Sequence, residues 1–199
     1  QEFLLPPKDQ QAQLANLLWA MDDVIEKNKE VLDMLEINYA STVKSIFEKE
    51  KNLIKLKQIK FEYFKGLSAE EDENGNFILI PSGAVFPRKL KIQKSKNVNI
   101  SNEKSFSKIL NRNDILFNTG GVGTLGRSHF FSDYDNKYFC DSFVLVLRFK
   151  DENYSNKFIY HILQSNPINS QIAQNTKGTT GITSISIDGI RNFKIPNLK

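Results

Sequence analysis

Residues 114–126 read DILFNTGGVGTLG, and within them Gly121, Gly123 and Gly126 stand at G-x-G-x-x-G spacing. In a dinucleotide-binding loop such glycines let a strand turn tightly into a helix, whose N-terminus then holds a pyrophosphate. Ile115-Leu116-Phe117 supply a strand in front. The residues behind do not supply the helix. RSHFFSDYDNKYFCD (127–141) carries three Phe and two Tyr around an Asp-rich turn, without a 3.6-residue period. The acid about twenty residues on, Asp141, falls inside a strand pattern, and no repeated βαβ units surround it. The spacing reads as strand, turn, strand, with glycines allowing left-handed or crowded backbone. Asn118, Thr119, Thr124, Arg127, Ser128 and His129 are then expected on or beside the turn, as donors and acceptors for phosphates and base edges.

Other catalytic arrangements are weaker still. Cys140, the single cysteine, could pair with His129 or His161 as a nucleophile, but it sits in a strand pattern with nothing nearby to activate it. One Cys and two His offer no metal-ligand spacing. No nuclease-like set of acids, adenine-methyltransferase loop or phosphate-binding Gly-Lys-Ser/Thr loop occurs; Leu5-Pro6-Pro7-Lys8 lacks both the amide and the stacking aromatic of the second. The chain is expected to be non-catalytic, with no metal and no cofactor of its own.

The charge points to a polyanion instead. The net charge is only +4, yet the stretch from Arg88 to Arg112 holds eight basic residues against one acid, Glu103. A local cationic field of that kind suits nucleic acid. The bland alternative is a lysine-rich surface that meets only water.

These residues need elements to hold them. The 199 residues are 40% apolar with 15 Phe, enough for a real core. A lone cysteine suits a reducing cytoplasm, where we place the protein, and no apolar run is long enough for a membrane span. The opening QEFLLPPKDQ has no signal-peptide layout; it also lacks an initiator Met, which fits either a fragment or an incomplete product.

From residue 9 to about 47 the pattern is one long helix, entered after Pro6-Pro7 with Asp9 as a cap. Leu14, Met21, Asn28 and Leu35 share one heptad position. Leu17, Val24 and Val31 follow three residues on, and Leu18, Ile25, Leu32, Tyr39 and Ile46 four on. That is a coiled-coil seam, and it calls for a partner helix, with Asn28 helping to fix register. Residues 49–65 read as weaker helix or a basic connector, and 66–75 as an acidic loop. Beyond Asn74-Gly75, short strands alternate with long loops. They include a strong strand over 138–149, a short helix over 158–164, and an Ile/Ser/Thr/Gly segment ending at Pro196. The expected class is α+β: a long coiled-coil-type helix (1–65) attached to a mixed domain of many short strands and long loops (66–199).

Three segments, over 110–131, 158–197 and 4–35, carry NDILFNTGGVGTLG, an Ile-Ser run ending in Ile195-Pro196, and LLPPKDQQ; together they resemble the specificity subunits of type I restriction–modification systems. LNRNDILFNTGGVGTLGRSHFF is similar to their "G-D-I-L-F-x-R-x-G-(T)-x-G" signature, with Asn113 in place of the usual Gly. FIYHILQSNPINSQIAQNTKGTTGITSISIDGIRNFKIPN resembles the end of a target recognition domain. LLPPKDQQAQLANLLWAMDDVIEKNKEVLDML resembles the spacer helix, with Asp9-Gln10 where Glu-Gln is usual. The match covers nearly the whole chain.

The resemblance implies a non-catalytic module that reads one half of a split DNA target, spaced by a helical rod. It also implies methyltransferase subunits docked on the rod, and a restriction subunit as an indirect partner. S-adenosylmethionine, ATP and Mg belong to those partners. A full subunit carries two helices and two recognition domains; this chain has one of each, so it pairs with a copy of itself or with the missing half of its own subunit. A symmetric pair should prefer an inverted repeat with a spacer. On this reading Arg88, Lys89, Lys91, Lys94, Lys96 and Lys177 contact phosphate, and Asn118, Thr119, Arg127, Thr179 and Thr180 read bases. Leu14, Leu18, Met21, Ile25, Asn28, Leu32 and Leu35 meet the partner helix. A coiled-coil docking adaptor without sequence-specific DNA binding is the alternative, and a nucleotide-binding enzyme through Gly121–Gly126 the third reading.

Overall fold

A computed structural model of the chain describes residues 5–50, 52–133, 135, 137–178 and 183–197. The fold is α+β: a long N-terminal helix and a strand-rich domain built from several small sheets. The chain divides into two compact units, 1–42 and 43–199.

Helix α1 spans Lys8–Lys49 and contains neither Pro nor Gly. Its 42 residues make a rod of about 63 Å. The Pro7 carbonyl accepts the Gln11 amide at 2.9 Å, and Asp9 stands inside the first turn, favourable to the helix dipole, rather than at the cap. Surface pairs such as Lys27–Asp23 at 2.7 Å add little. Val43 is the buried residue of this helix.

Residues 49–65 differ from the expectation of weak helix or connector. β1 (Leu53–Lys55) and β2 (Phe61–Lys65) are strands of the second unit. The strand-rich fold thus begins well before residue 66. Lysines at 55, 57, 60 and 65 are interspersed with Leu53, Leu56, Ile59, Phe61 and Phe64, whose uneven spacing carries no strand period. Between the two strands, Leu56 and Ile59 are buried.

The remaining elements are β3 (Phe77–Ile80), β4 (Val85–Phe86), β5 (Lys89–Leu90), β6 (Lys96–Val98), β7 (Ile115–Asn118), β8 (Ser128–Phe130), β9 (Tyr138–Cys140), β10 (Val144–Phe149), α2 (Asn156–Leu163), α3 (Asn166–Asn175), β11 (Thr176–Lys177), β12 (Ser184–Ile185), α4 (Ile187–Arg191) and β13 (Lys194–Pro196). The main sheet is antiparallel, in the order β2-β10-β7-β8. A second sheet runs β6-β3-β9, with β3 and β9 parallel. β1 pairs with β13, which ties the segment after α1 to the far end of the domain.

The period of two along β7 and β10 builds the core. Leu116, Val144 and Val146 face one side, packed with Ile80, Val85, Leu110 and Phe131. Ile115, Phe117, Leu145 and Leu147 alternate with them, all fully buried, and the Phe117 ring meets Phe193 at 6.3 Å. Residues 138–149, expected as one strand, are two strands in different sheets. Asp141 breaks them: one carboxylate oxygen accepts the Phe143 amide at 2.9 Å and the other the Ser82 amide at 2.8 Å. The short helix expected over 158–164 is α2, which ends at Leu163; Pro167 then sits in the first turn of α3, where its missing N–H costs nothing.

One charged pair is buried at the foot of this sheet. Asp114, 1% exposed, takes two hydrogen bonds from Arg148, both 2.8 Å, and one from the Asn111 amide. Arg148 also donates to the Ile109 carbonyl and lies over the Phe64 ring. Asn113, just before Asp114, has φ 71, a left-handed conformation that glycine adopts without cost. Asn is among the few other residues that tolerate it.

Candidate nucleic-acid interface

The glycine loop closes a hairpin. β7 runs into it and β8 leaves it antiparallel, with Phe117 opposite Ser128 and Leu116 opposite His129. Asn118 and Arg127 close the turn: the Asn118 amide donates to the Arg127 carbonyl, and the Gly126 amide to the Asn118 carbonyl, both at 2.9 Å. Gly121 and Gly126 have φ 104 and 79, and a Cβ on Gly126 would come within 2.9 Å of Ile172. Glycine is needed here to turn the chain through left-handed backbone. No helix begins at the loop, so the pyrophosphate-binding geometry is missing, and the nucleotide-enzyme reading loses its structural basis. Cys140 is fully buried; burial, with the Asp141 and Asp114 carboxylates, pushes its thiol well up, which makes it a poor nucleophile. Among the described residues no cluster of His, Cys, Asp and Glu could hold a metal, and no helix is long and apolar enough to cross a membrane.

The predicted base readers separate. Asn118 is 0% and Thr119 4% exposed. The Asn118 amide side chain donates to the Ser82 carbonyl at 2.8 Å, and the Thr119 hydroxyl to the Phe143 carbonyl at 2.9 Å. Both side chains donate to backbone carbonyls of neighbouring turns, at Ser82 and Phe143, instead of facing outward, so their donors are used inside the fold. Thr179 and Thr180 lie outside the described residues. Arg127 remains: it is half-buried, with its guanidinium carbon 4.4 Å from the centre of the Phe86 ring.

The basic run divides as well. Phe86 and Lys89 pair across the β4–β5 hairpin, whose turn is Pro87-Arg88. Arg88 takes φ 59 there, where a turn of this kind ordinarily places glycine or asparagine. Its amide donates to the Tyr160 hydroxyl of α2 at 3.0 Å. Lys91 follows, its ammonium 4.2 Å from the same Phe86 ring centre. His129 of β8 meets the Phe86 carbonyl through Nδ1 at 3.2 Å. Burial holds the His129 imidazole below its usual value, against the opposing pull of that carbonyl. His161 is also lowered, first by burial and then by the positive charges of Arg88 and Lys157. The β4–β5 hairpin, the glycine hairpin and α2 therefore bring Arg88, Lys91, Arg127, Lys157 and the two imidazoles together. Lys89 is exposed on the same hairpin. Lys96 does not join them; it stands on β6 and pairs with Glu71 at 2.9 Å. Lys94 is exposed in the 3₁₀ turn Ile92–Lys94 that leads to it. Lys177 borders a separate groove of about 400 Å³ with Lys65, Gly120, Gly121, Ser184 and Ser186.

Phe86, Lys157 and Lys65 were not picked out from the sequence. Phe86 looks like an ordinary strand residue, Lys157 opens a short amphipathic helix, and Lys65 sits in the segment read as connector. Only the packing of β4 and α2 against β8, and the pairing of β2 with β10, shows them as neighbours of the loop.

On α1 the predicted seam is laid bare. Leu14, Leu18, Met21, Ile25, Leu32 and Leu35 are all exposed, Leu18 and Leu32 at 60% each. Asn28 donates its side-chain amide to the Val24 carbonyl at 2.8 Å, inside its own helix. Trp19, Met34 and Ile37, absent from the heptad reading, are also exposed, and at 100° per residue they fall on the opposite side of the helix.

No family model and no curated protein matches the sequence. Solved structures do. The HsdS subunit from Thermoanaerobacter tengcongensis aligns at a TM-score of 0.54 and 10% identity, over 96% of this chain and 47% of that one. A structure described as the basis of complex assembly and conformational transition of the type I R-M system aligns at 0.53 and 11%, over 96% and 48%. The fold is that of a type I restriction–modification S subunit. A type I S subunit from M. genitalium also aligns, at 0.49 and 21% identity, over 73% of this chain and 34% of that one. The chain spans about half the length, or less, of the solved S subunits it matches. At these identities the likeness is one of fold.

Proposed function

We propose that this chain is a non-catalytic DNA-specificity module of a type I restriction–modification system, reading one half of a split duplex target. What carries the reading is the cationic face of the two hairpins and α2, set on an S-subunit fold. Arg88, Lys89, Lys91 and Lys157 supply phosphate contacts, with Lys94 and Lys177 further out, and Arg127 is the principal reader of base edges. Lys96 contributes less, because Glu71 already neutralises it. Asn118 and Thr119 act through the loop they hold.

The helical unit takes the spacing and docking role. Its bare seam accepts a second helix, from another copy or from the other half of a longer subunit. Trp19, Met34 and Ile37 leave apolar area on the opposite side for methyltransferase subunits. S-adenosylmethionine, ATP and Mg act on those partners and on the restriction subunit, not on this chain.

The bare seam by itself also fits a docking adaptor that never reads DNA, and binding measurements separate the two. Fluorescence anisotropy with duplex DNA from about 50 to 200 mM salt should show affinity falling steeply as salt rises. Replacing Lys89 and Lys91 together by Gln should weaken binding and lower the salt slope by roughly two. Salt-independent binding, or a double variant that binds as the parent does, leaves the adaptor.

A further inference from the structure

Two cations share one ring. The Lys91 ammonium and the Arg127 guanidinium come from different hairpins, yet lie 4.2 and 4.4 Å from the centre of Phe86. The two charges are therefore held within roughly one Debye length, ~8–10 Å at physiological salt, where like charges still repel. Among the described residues no carboxylate pairs with either. The electron-rich ring face offsets the repulsion, and the contact uses none of the N–H donors of either side chain. The backbone that carries the ring is fixed in turn: Phe86 is paired to Lys89 in the hairpin, and its carbonyl meets His129 Nδ1 of β8 at 3.2 Å. Long basic side chains normally lose rotamer freedom when they bind. Here that freedom is restricted beforehand.

We propose that Phe86 is a positioning residue for the DNA contact, a platform that pre-orders Lys91 and Arg127 as a two-cation clamp on duplex DNA. This rests on the DNA-reading function proposed above. The clamp presents a planar donor fork and a point charge held on one ring. Such a pair fits adjacent acceptors on the duplex: a phosphate, or the O6/N7 edge of a guanine with a phosphate next to it. Phe86 itself need not touch DNA.

The variants Phe86→Leu and Phe86→Trp separate the platform from mere packing. Leu keeps the apolar volume without the ring; Trp keeps the ring. With the full chain and a randomised duplex pool, Phe86→Leu should lose about tenfold in affinity at an unchanged salt slope, because both charges remain and only their ordering is lost. Phe86→Trp should bind as the parent does. NMR of the Arg127 guanidinium gives a readout that needs no DNA: its Nε–H proton should be displaced by the ring current in the parent and in Phe86→Trp, and return to the position of a solvated arginine in Phe86→Leu. Unchanged affinity in Phe86→Leu, or equal losses in Leu and Trp, overturns the proposal while the DNA-reading function stands. A parent chain that fails to bind duplex DNA at all removes both.

Discussion

Arg88 is held in a left-handed backbone conformation, φ 59, at the tip of a basic hairpin. A non-glycine residue there stores strain, and such strain is tolerated where a side chain earns its place by function. Arg88→Gly should therefore raise stability by up to about 1 kcal/mol, seen as a higher urea midpoint, while weakening DNA binding. A variant that is less stable, or that binds DNA unchanged, would deny Arg88 that role. The other positive-φ side chain, Asn113, carries a purely structural expectation. Asn113→Gly should stay within about 1 kcal/mol of the parent, whereas Asn113→Val should lose roughly 1–2 kcal/mol. Next to it, Asp114 is buried against Arg148, and Asp114→Ala would leave that guanidinium half-buried without its partner. Urea denaturation should show a loss of roughly 3–5 kcal/mol, the range for breaking a buried pair from one side. Arg127→Ala belongs with the readers: it should cost about 1–3 kcal/mol on the preferred site and relax preference at one base pair, whereas an equal loss on all sequences would make it a phosphate contact.

At the level of elements, the glycine hairpin and α2 couple stability to pH. Burial lowers the pKa of His129, and burial with Arg88 and Lys157 lowers that of His161, each from an ordinary value of 6.5. Just below pH 6.5 the unfolded chain then binds more protons than the folded one, so stability falls as the pH drops through that window. Above it both states are neutral at these residues and the contribution is complete. Urea midpoints at a series of pH values should show this slope, and His129→Gln should remove part of it; a flat profile in the parent would mean the imidazoles protonate freely. These elements were legible to different degrees in the sequence. The long helix of α1 and the strand–turn–strand reading of the glycine loop both stand, because an unbroken helical stretch and left-handed glycines are local signals. β1, β2 and the break at Asp141 were not legible, since short strands declare themselves only through partners far away in sequence. The same holds for the site. The basic run was visible as charge, but its division into Lys91 beside Arg127 and Lys96 beside Glu71 is set by sheet pairing. Asn118 and Thr119 have the chemistry of base readers, and only burial shows that the loop consumes it.

For the whole molecule, an apolar strip along a 42-residue helix is a surface that a lone chain has no reason to keep. Leu18→Asp with Ile25→Asp should convert an oligomer to a monomer in sedimentation velocity while leaving the strand-rich unit folded; a parent chain that sediments as a monomer would assign the seam to a different chain. Reading of DNA sequence is the function proposed for this fold. The most direct measurement is selection from a randomised duplex library at about 0.15 M salt, where non-specific attraction is damped, with and without a cognate methyltransferase subunit. We expect an enriched split motif, and an inverted repeat if two copies pair. A folded protein that enriches no motif in either arm would contradict the claim and leave the helix as a docking element alone.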